Sequence, residues 1–526
     1  MRCISGNFRR RIAYMKPLCL RTPARLFALV ATAFSLQAQA APEPKQCNYA
    51  PIAKLPLRYT GPSLMITTGG TINGTPAELL VDTGAYRTFF TRTGTERRNM
   101  SLRRTGQVVY GIGGSSPVYE TRITDFSAGP ARLTKGYIPV LGDFGFTPSF
   151  DGILGSPFLL QADLEVSLAA KEMTVFYPEN CAGTWLGYWS DKVIDIPFKS
   201  HHEPGLNPHF TVLVNGQEME AMIDTGAATT SILRDAARRA GVEVDVPGST
   251  RTHDSVGAGE RKAASWLVSL KTFRMGDETI ENAEFSVIDT RNHGVDVILG
   301  ADFLRAHRVL FAMSQKKLYF SYEGGEPFGQ RSKLEPWIRT EADAGNADAQ
   351  LALSSAYRRG KLVPRDDALA AQWLEKAALG GSPHALLRSG RVLMQRGEPA
   401  DLPLAATRLR AALDQLPAER EGALWLYIAR VRTAQPELAK QELTATFARS
   451  ERDEWPKPVA DFYLGTLTLE KLLAQAADDR AKGRKRRCEA VAAAAEWQLA
   501  HGQAEAAQAL RTGAGAACAT DKDAAN

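Results

Sequence analysis

The sequence predicts two all-β lobes in tandem, followed by an all-α helical-repeat solenoid. Three observations carry this. A stretch of alternating strands and turn glycines occurs twice, and from Trp337 the chain changes to alanine, leucine and charge at helical period. The chain of 526 residues, 44% apolar and 23% charged, is ordinary globular material. At roughly 150 residues per domain it holds about three to four domains.

The duplication fixes the lobes. The segment Ala77-Glu78-Leu79-Leu80-Val81-Asp82-Thr83-Gly84-Ala85 returns as Glu218-Met219-Glu220-Ala221-Met222-Ile223-Asp224-Thr225-Gly226-Ala227, with an offset of 142 between the aspartates. Upstream, the turn pair Asn73-Gly74 returns as Asn215-Gly216, each joining two apolar stretches as a β-hairpin would. Downstream, Gly152-Ile153-Leu154-Gly155 returns as Val297-Ile298-Leu299-Gly300 at an offset of 145. Apolar positions then match in pairs: Phe158 with Phe303, Leu164 with Val309, Val166 with Phe311, Met173 with Leu318 and Val175 with Phe320. Each copy reads as alternating strands, then a short helical turn at Pro157 to Gln161 or Asp302 to His307, then a final strand pair. Lobe one is placed at 48–181 and lobe two at 195–323. The stretch 182–194, with Trp185, Tyr188 and Trp189, reads as a linker packed on a lobe, and 324–336 as a second linker.

Charge and cysteines bound the setting. Residues 1–40 hold seven of the 64 basic residues and no acid, so the remainder carries 57 basic against 58 acidic residues. A near-neutral body has no general electrostatic footprint for nucleic acid, and nucleic-acid binding is not expected. The first forty residues read as a signal peptide: a basic start, an apolar run from Leu26 to Leu36, and Ala38-Gln39-Ala40 before Ala41. A membrane anchor is the alternative, but the run is short for a span, so no stable anchor is expected. Four cysteines then remain, and an even number in an exported chain suggests two disulfides. Of the three pairings, Cys47 with Cys181 and Cys488 with Cys518 are the economical choice, each within one domain. The Ala-Gln-Ala site suggests a Gram-negative periplasm, with secretion beyond it left open.

The chemistry centres on two Asp-Thr-Gly turns in register, at Asp82-Thr83-Gly84 and Asp224-Thr225-Gly226. Each follows an apolar strand, and each has an Ile-Leu-Gly about 75 residues later. Two carboxylates facing each other from poorly solvated strand ends repel and share one proton. Such a pair serves as base and acid together, drawing a proton from a water and giving one to a carbonyl oxygen. Thr83 and Thr225 can hydrogen-bond across the lobe interface, and Gly84 and Gly226 permit close backbone approach. This arrangement resembles the bacterial retropepsin-like aspartyl proteases of the pepsin and retropepsin clan, over nearly all of residues 60–323. The resemblance implies a double-lobed acid-protease fold, an intramolecular retropepsin pseudo-dimer that is catalytically monomeric. It implies catalysis by Asp82 and Asp224, with no metal and no cofactor. The strands at Ile153-Leu154 and Ile298-Leu299 would cross behind the two turns.

Glycine-rich flaps are implied at Tyr110-Gly111-Ile112-Gly113-Gly114 and Val256-Gly257-Ala258-Gly259. The chain also departs from the retroviral branch. Acidic positions of that branch are Tyr86 and Ala228 here, and its arginine position is Ser156 or Ala301, so retroviral substrate contacts and dimer salt bridges are not implied. No pepsin-type propeptide is evident. The eight histidines lack metal-ligand spacing, and His201-His202 reads as a solvated turn. The basic run Lys482 to Arg487 reads as a solvated loop before a helix.

Residues 337–520 resemble Sel-one-like and tetratricopeptide repeats, on Asp348-Ala349-Gln350-Leu351, Tyr357, Gly360, Val363, Pro364, Trp373, Lys376-Ala377-Ala378 and His384-Ala385, with 36 residues from Ala349 to Ala385. Such repeats bind a protein partner or substrate, or simply stabilise the neighbouring lobes. The expectation is an exported aspartic endopeptidase acting on peptide or protein substrates, with residues 337–526 folding separately. The alternative is a non-catalytic periplasmic scaffold that binds peptide.

Overall fold

The computed structural model describes residues 46–518 apart from 143, 200–206, 247–248, 253, 260, 291–293, 330–332, 449, 451–453 and 479–481. The stretch read as a signal peptide and the pair His201-His202 lie outside the described residues.

In lobe one, Asn73 and Gly74 take φ of 49° and 75°, the left-handed pair that a two-residue hairpin requires. They join strands Met65–Ile72 and Thr75–Val81, with Ile72 opposite Thr75. Asn215 and Gly216 do the same for Phe210–Val214 and Gln217–Ile223, as the sequence predicted. Gly152–Leu154 runs parallel to Thr75–Val81 and antiparallel to Phe89–Thr91. The chain thereby threads between the two arms of the loop that holds Asp82. Lobe two repeats this, with Val297–Leu299 between Gln217–Ile223 and Ser231–Leu233. All four of these three-residue strands are wholly buried, so an apolar run replaces the alternation of a half-exposed strand. Each sheet closes on itself, lobe one through Ile72 opposite Phe126 and lobe two through Val214 opposite Phe273. Phe90 and Phe126 fill the first interior, Phe210, Phe273 and Phe285 the second.

The final strand pairs leave their lobes and build one shared six-stranded sheet. Its order is Pro51–Pro56, Glu172–Phe176, Asp163–Ser167, His307–Ala312, Lys317–Tyr322, Ile194–Pro197. At its centre Leu164 faces Phe311 and Val166 faces Val309, so matched residues cross-pair about a local two-fold axis. The disulfide Cys47–Cys181, with Cα atoms 4.5 Å apart, ties the two ends of lobe one beneath this sheet. The 182–194 stretch packs on the sheet through Tyr188 to Glu165 and Trp189 to Ser321, both at 2.8 Å.

From Pro336 to Cys518 the chain is helical. The first helices of successive pairs, Ala347–Arg359, Pro383–Arg396, Arg420–Arg432 and Lys457–Tyr463, are capped at Asn346, Ser382, Glu419 and Pro456, a step of 36 or 37 residues. The disulfide Cys488–Cys518 joins the helices Gly483–Ala500 and Ala504–Cys518. Among the described residues, no helix is long and apolar enough to cross a membrane.

Two expectations need correction. The basic run does not precede its helix but forms its first turns: Lys485 pairs with Glu489 at 3.4 Å and Arg486 lies over Trp455 at 5.6 Å. Consecutive basic residues cost a helix little when one face carries a carboxylate one turn on. Nor does the helical region pack as a separate body. The first helices share a hydrophobic core with the lobes through Ala342, Ala349, Leu353 and Trp373, and Trp337 packs on Tyr59 at 4.7 Å. The leading ends of the first helices dock on lobe one. Asp348 accepts from the Gly61 N–H at 2.6 Å, Asn346 donates to the Tyr59 carbonyl, and Glu454 pairs with Arg92 at 2.6 Å. Arg420 pairs with Glu96 at 2.7 Å, both side chains under 10% exposed. Buried polar contacts of this kind stabilise only as matched sets, which couples the two regions.

Candidate active site

Asp82 and Asp224 each stand one residue beyond a buried strand end, and the threaded strands hold their backbones. The Asp82 N–H donates to the Leu154 carbonyl at 3.1 Å and the Asp224 N–H to the Leu299 carbonyl at 2.8 Å. Ile153-Leu154 and Ile298-Leu299 thus form the floor, as the resemblance implied.

The two turns interlock. The Thr83 hydroxyl donates to the Ile223 carbonyl at 2.7 Å and accepts the Thr225 N–H at 3.1 Å. The Thr225 hydroxyl donates to the Val81 carbonyl at 2.7 Å and accepts the Thr83 N–H at 3.0 Å. Both threonines are fully buried, so every polar group of the interlock is satisfied from the opposite lobe. Gly84 and Gly226 are required here because a Cβ at Gly84 would overlap the Asp224 carboxylate and one at Gly226 the Asp82 carboxylate. Ser156 and Ala301 each donate a backbone N–H, to the carbonyls of Ala85 and Ala227, both at 2.8 Å. A backbone contact does not depend on the side chain, so these two positions can differ.

The carboxyls of Asp82 and Asp224 lie close enough to perturb each other's ionisation, each reaching the glycine of the opposite turn. Burial pushes Asp82 well above the usual carboxylate range, and the neighbouring Asp224 charge pushes it further, against N–H donation from Ala85 at 2.8 Å. Burial also raises Asp224, but the N–H groups of Gly226 (2.8 Å) and Gly84 (3.2 Å) and the Asp82 carboxyl favour its ionised form. Both carboxyls are thus pushed up by burial, and the pair titrates as one unit.

The two flaps meet each other. Arg103–Gly111 and Gly114–Ala128 form a long hairpin whose tip carries Ile112 and Gly113. The Gly113 N–H donates to the Ala258 carbonyl, and the Gly113 carbonyl accepts the Arg261 N–H, both at 2.9 Å. Gly111 packs against Ala258 and Gly113 against Gly259, where added side chains would clash. Val256-Gly257-Ala258-Gly259 lies in a looser loop, held at its base by the paired backbones of Ser255 and Ala263. Tyr110 is 62% exposed on the first flap and Tyr86 is 51% exposed after the first turn. Gly111, Ile112 and Gly113 of the first flap thus meet Gly257, Ala258 and Gly259 of the second, while Tyr110 lies outside this contact and Val256 packs on Gly145.

Sequence reasoning missed a second duplicated device. Asp151 accepts from the Glu78 N–H and from Arg97 and Arg98, and its counterpart Asp296 accepts from the Glu220 N–H and pairs with Arg239. Each clamps the strand leading to its turn. The signal was present: Asp151 and Asp296 share the 145 offset of the Ile-Leu-Gly copies, and Arg97 and Arg239 the 142 offset of the turns. Also missed was Thr147, whose carbonyl bonds His384 Nε2 at 2.9 Å and whose hydroxyl donates to Glu419 at 2.7 Å.

The aspartyl protease family model matches residues 68–158 and 210–303. Both lobes are similar to that family. The matched segments hold the two Asp-Thr-Gly turns, both flaps and both Ile-Leu-Gly strands. A solved aspartic proteinase from Irpex lacteus is similar at 15% identity and a TM-score of 0.33, over 53% of this chain and 97% of that one. No curated protein matches the chain. The two disulfides fit an oxidising compartment.

Proposed function

We propose that this protein is an aspartic endopeptidase, exported to the periplasm, whose helical pairs bind a substrate or partner. The observation that carries the reading is the buried, mutually perturbed pair Asp82 and Asp224 on interlocked turns, together with two flaps that touch. A water held between the carboxyls gives a proton to Asp224 as its oxygen bonds to the peptide carbonyl carbon. Asp82 gives its proton to the carbonyl oxygen, and a gem-diol results. Asp224 then gives its proton to the amide nitrogen, the C–N bond breaks and the amine leaves, while Asp82 takes a proton from one gem-diol hydroxyl, whose oxygen becomes the carbonyl of the acid product. The interlocked threonines hold the carboxyls at fixed separation through this cycle, and the flaps exclude bulk water.

The test is a peptide-library digest with the wild-type chain and with Asp82→Asn and Asp224→Asn. Either single change removes one half of a unit, so each should lose at least about a thousandfold in rate, and the double variant little more. Activity should fall at both pH extremes, because only the singly protonated pair is competent. Since both carboxyls are raised, the acid limb should lie above the range of a free aspartate. Cleavage that persists in both single variants would falsify the reading. Tight peptide binding without cleavage by the wild type would favour the non-catalytic scaffold.

A further inference from the structure

Two successive first helices, Ala347–Arg359 and Pro383–Arg396, present a stripe of four arginines, and His384 of the second meets the Thr147 loop of lobe one. Arg388 donates to the Ser355 hydroxyl at 2.6 Å, linking Pro383–Arg396 to Ala347–Arg359. Arg358 and Arg359 lie one turn beyond Ser355, and Arg391 one turn beyond Arg388, where it lies over Trp425 of Arg420–Arg432 at 5.4 Å. None of these four arginines is in a salt bridge among the described residues. The carboxylate that acts on Arg391 is Glu421, whose charged form is disfavoured by desolvation and by the charges of Glu419 and Glu489. Asp367, near Arg358, is engaged by Arg365 at 2.9 Å. Crowding of like charge also shows in Arg388, which burial and then Arg358, Arg359 and Arg391 bring down to about 10. Four guanidinium groups with so little local compensation are a poor arrangement for the free protein and a good one for binding carboxylates, whose planar oxygens match the guanidinium fork.

The place of the stripe gives it a function. His384 lies one turn before Arg388 on the same helix and bonds the Thr147 carbonyl. In the same loop, the Gly145 N–H donates to the Gly257 carbonyl of the second flap at 3.2 Å. From His384 to Arg391 the helix rises about 10 Å, a distance that about three extended residues cover. A chain emerging from beneath the second flap can therefore reach the arginines within a few residues.

We infer that the stripe of Arg358, Arg359, Arg388 and Arg391 is an exosite for an acidic segment of the polypeptide substrate, flanking the bond to be cut. The inference rests on the endopeptidase reading for its role, and its test does not need hydrolysis. In the full-length Asp224→Asn chain, fluorescence anisotropy would measure the binding of a labelled peptide ending in a short run of glutamates and of its glutamine twin. The glutamate peptide should bind at least about tenfold tighter at low salt, with the advantage shrinking as salt rises. Arg388→Gln with Arg391→Gln should abolish the advantage and leave the glutamine peptide unaffected. If circular dichroism shows that pair of changes to unfold the chain, Arg359→Gln with Arg391→Gln replaces it, since neither of those side chains donates a side-chain hydrogen bond in the structure. Equal affinity for the two peptides, or an advantage that survives in a folded variant, would overturn the exosite. So would displacement of the peptide by a single-stranded oligonucleotide at lower concentration than by the unlabelled peptide. In the wild type, adding the acidic run to a cleaved peptide should lower KM and leave kcat alone. Failure of cleavage with retained selective binding would count against the endopeptidase reading only.

Discussion

The two lobes descend from one sequence pattern and now differ in what surrounds the same core. Around the aspartates they are nearly superimposable in chemistry: each turn is held by a threaded strand, by a threonine from the other lobe and by a clamped aspartate at 151 or 296. Away from the aspartates they diverge. Lobe one extends a long paired flap, and lobe two a more sparsely paired one, with Thr250–Arg251 against Trp266 and Leu267 and Ser255 bridged to Ala263 among the described residues. Lobe one also receives the leading ends of the helices through Glu96, Arg92, Thr147 and Gly61, whereas lobe two meets the helical region chiefly through Arg305 and Trp337 at 4.3 Å. The lesson is that symmetry persists where the chemistry needs two equal halves and lapses where only one half must carry a partner.

The strongest way to break this comparison lies in the turns. Gly84→Ala and Gly226→Ala should each reduce peptide cleavage about a hundredfold or more, because each displaces the opposite carboxylate, and the losses should be alike. A large loss from one and none from the other would show that the two halves are not equivalent. The docking surface should behave in the opposite way. Arg420→Gln leaves the buried Glu96 with only the more distant Arg92, at 3.6 Å, and should cost about 1–3 kcal/mol of stability in urea titration. At the lobe-two position matching Glu96 stands Arg238, in an exposed pair with Asp235, and Arg238→Gln should stay within about 0.5 kcal/mol.

Smaller effects sharpen the picture. Thr83→Val and Thr225→Val each strand a buried N–H and a carbonyl of the facing lobe, so each should cost about 1–3 kcal/mol, again equally. The pair itself should be a stability cost at neutral pH. Carboxyls raised above their unfolded values keep their protons longer in the folded state, so stability falls as pH rises from the unfolded range through the folded one. Asp82→Asn should therefore melt higher than wild type at neutral pH, with the gap closing as the pH drops below the free-aspartate range. A gap that widened in acid would contradict the raised titration.

Much of the site was legible before the structure because it is encoded locally and twice. Asp82-Thr83-Gly84 and Asp224-Thr225-Gly226 sit at a fixed offset with their hairpins and Ile-Leu-Gly strands, and a repeated local pattern is hard to produce without a repeated unit. The cysteines pair within their domains, as expected when each pair brackets one unit, across separations of 134 and 30 residues. What escaped was encoded across long separations. Asp151 meets Arg97 and Arg98 over more than fifty residues, and Arg420 meets Glu96 over 324. An arginine far along the chain reads as a solvated charge until a partner is placed beside it.

By itself, then, the sequence determined the two β lobes, the two aspartate turns, their glycine flaps and the helical character after Trp337, because hydrophobic period, turn residues and internal repetition are properties of neighbouring residues. Only the tertiary structure decided that the final strands of both copies merge into one sheet, that the flaps touch through Gly113 and Ala258, and that the helices dock on lobe one rather than hang from a linker. Those outcomes depend on which buried polar groups find partners from distant segments. No local pattern specifies such a match, because its energy exists only once both partners have been brought out of water together.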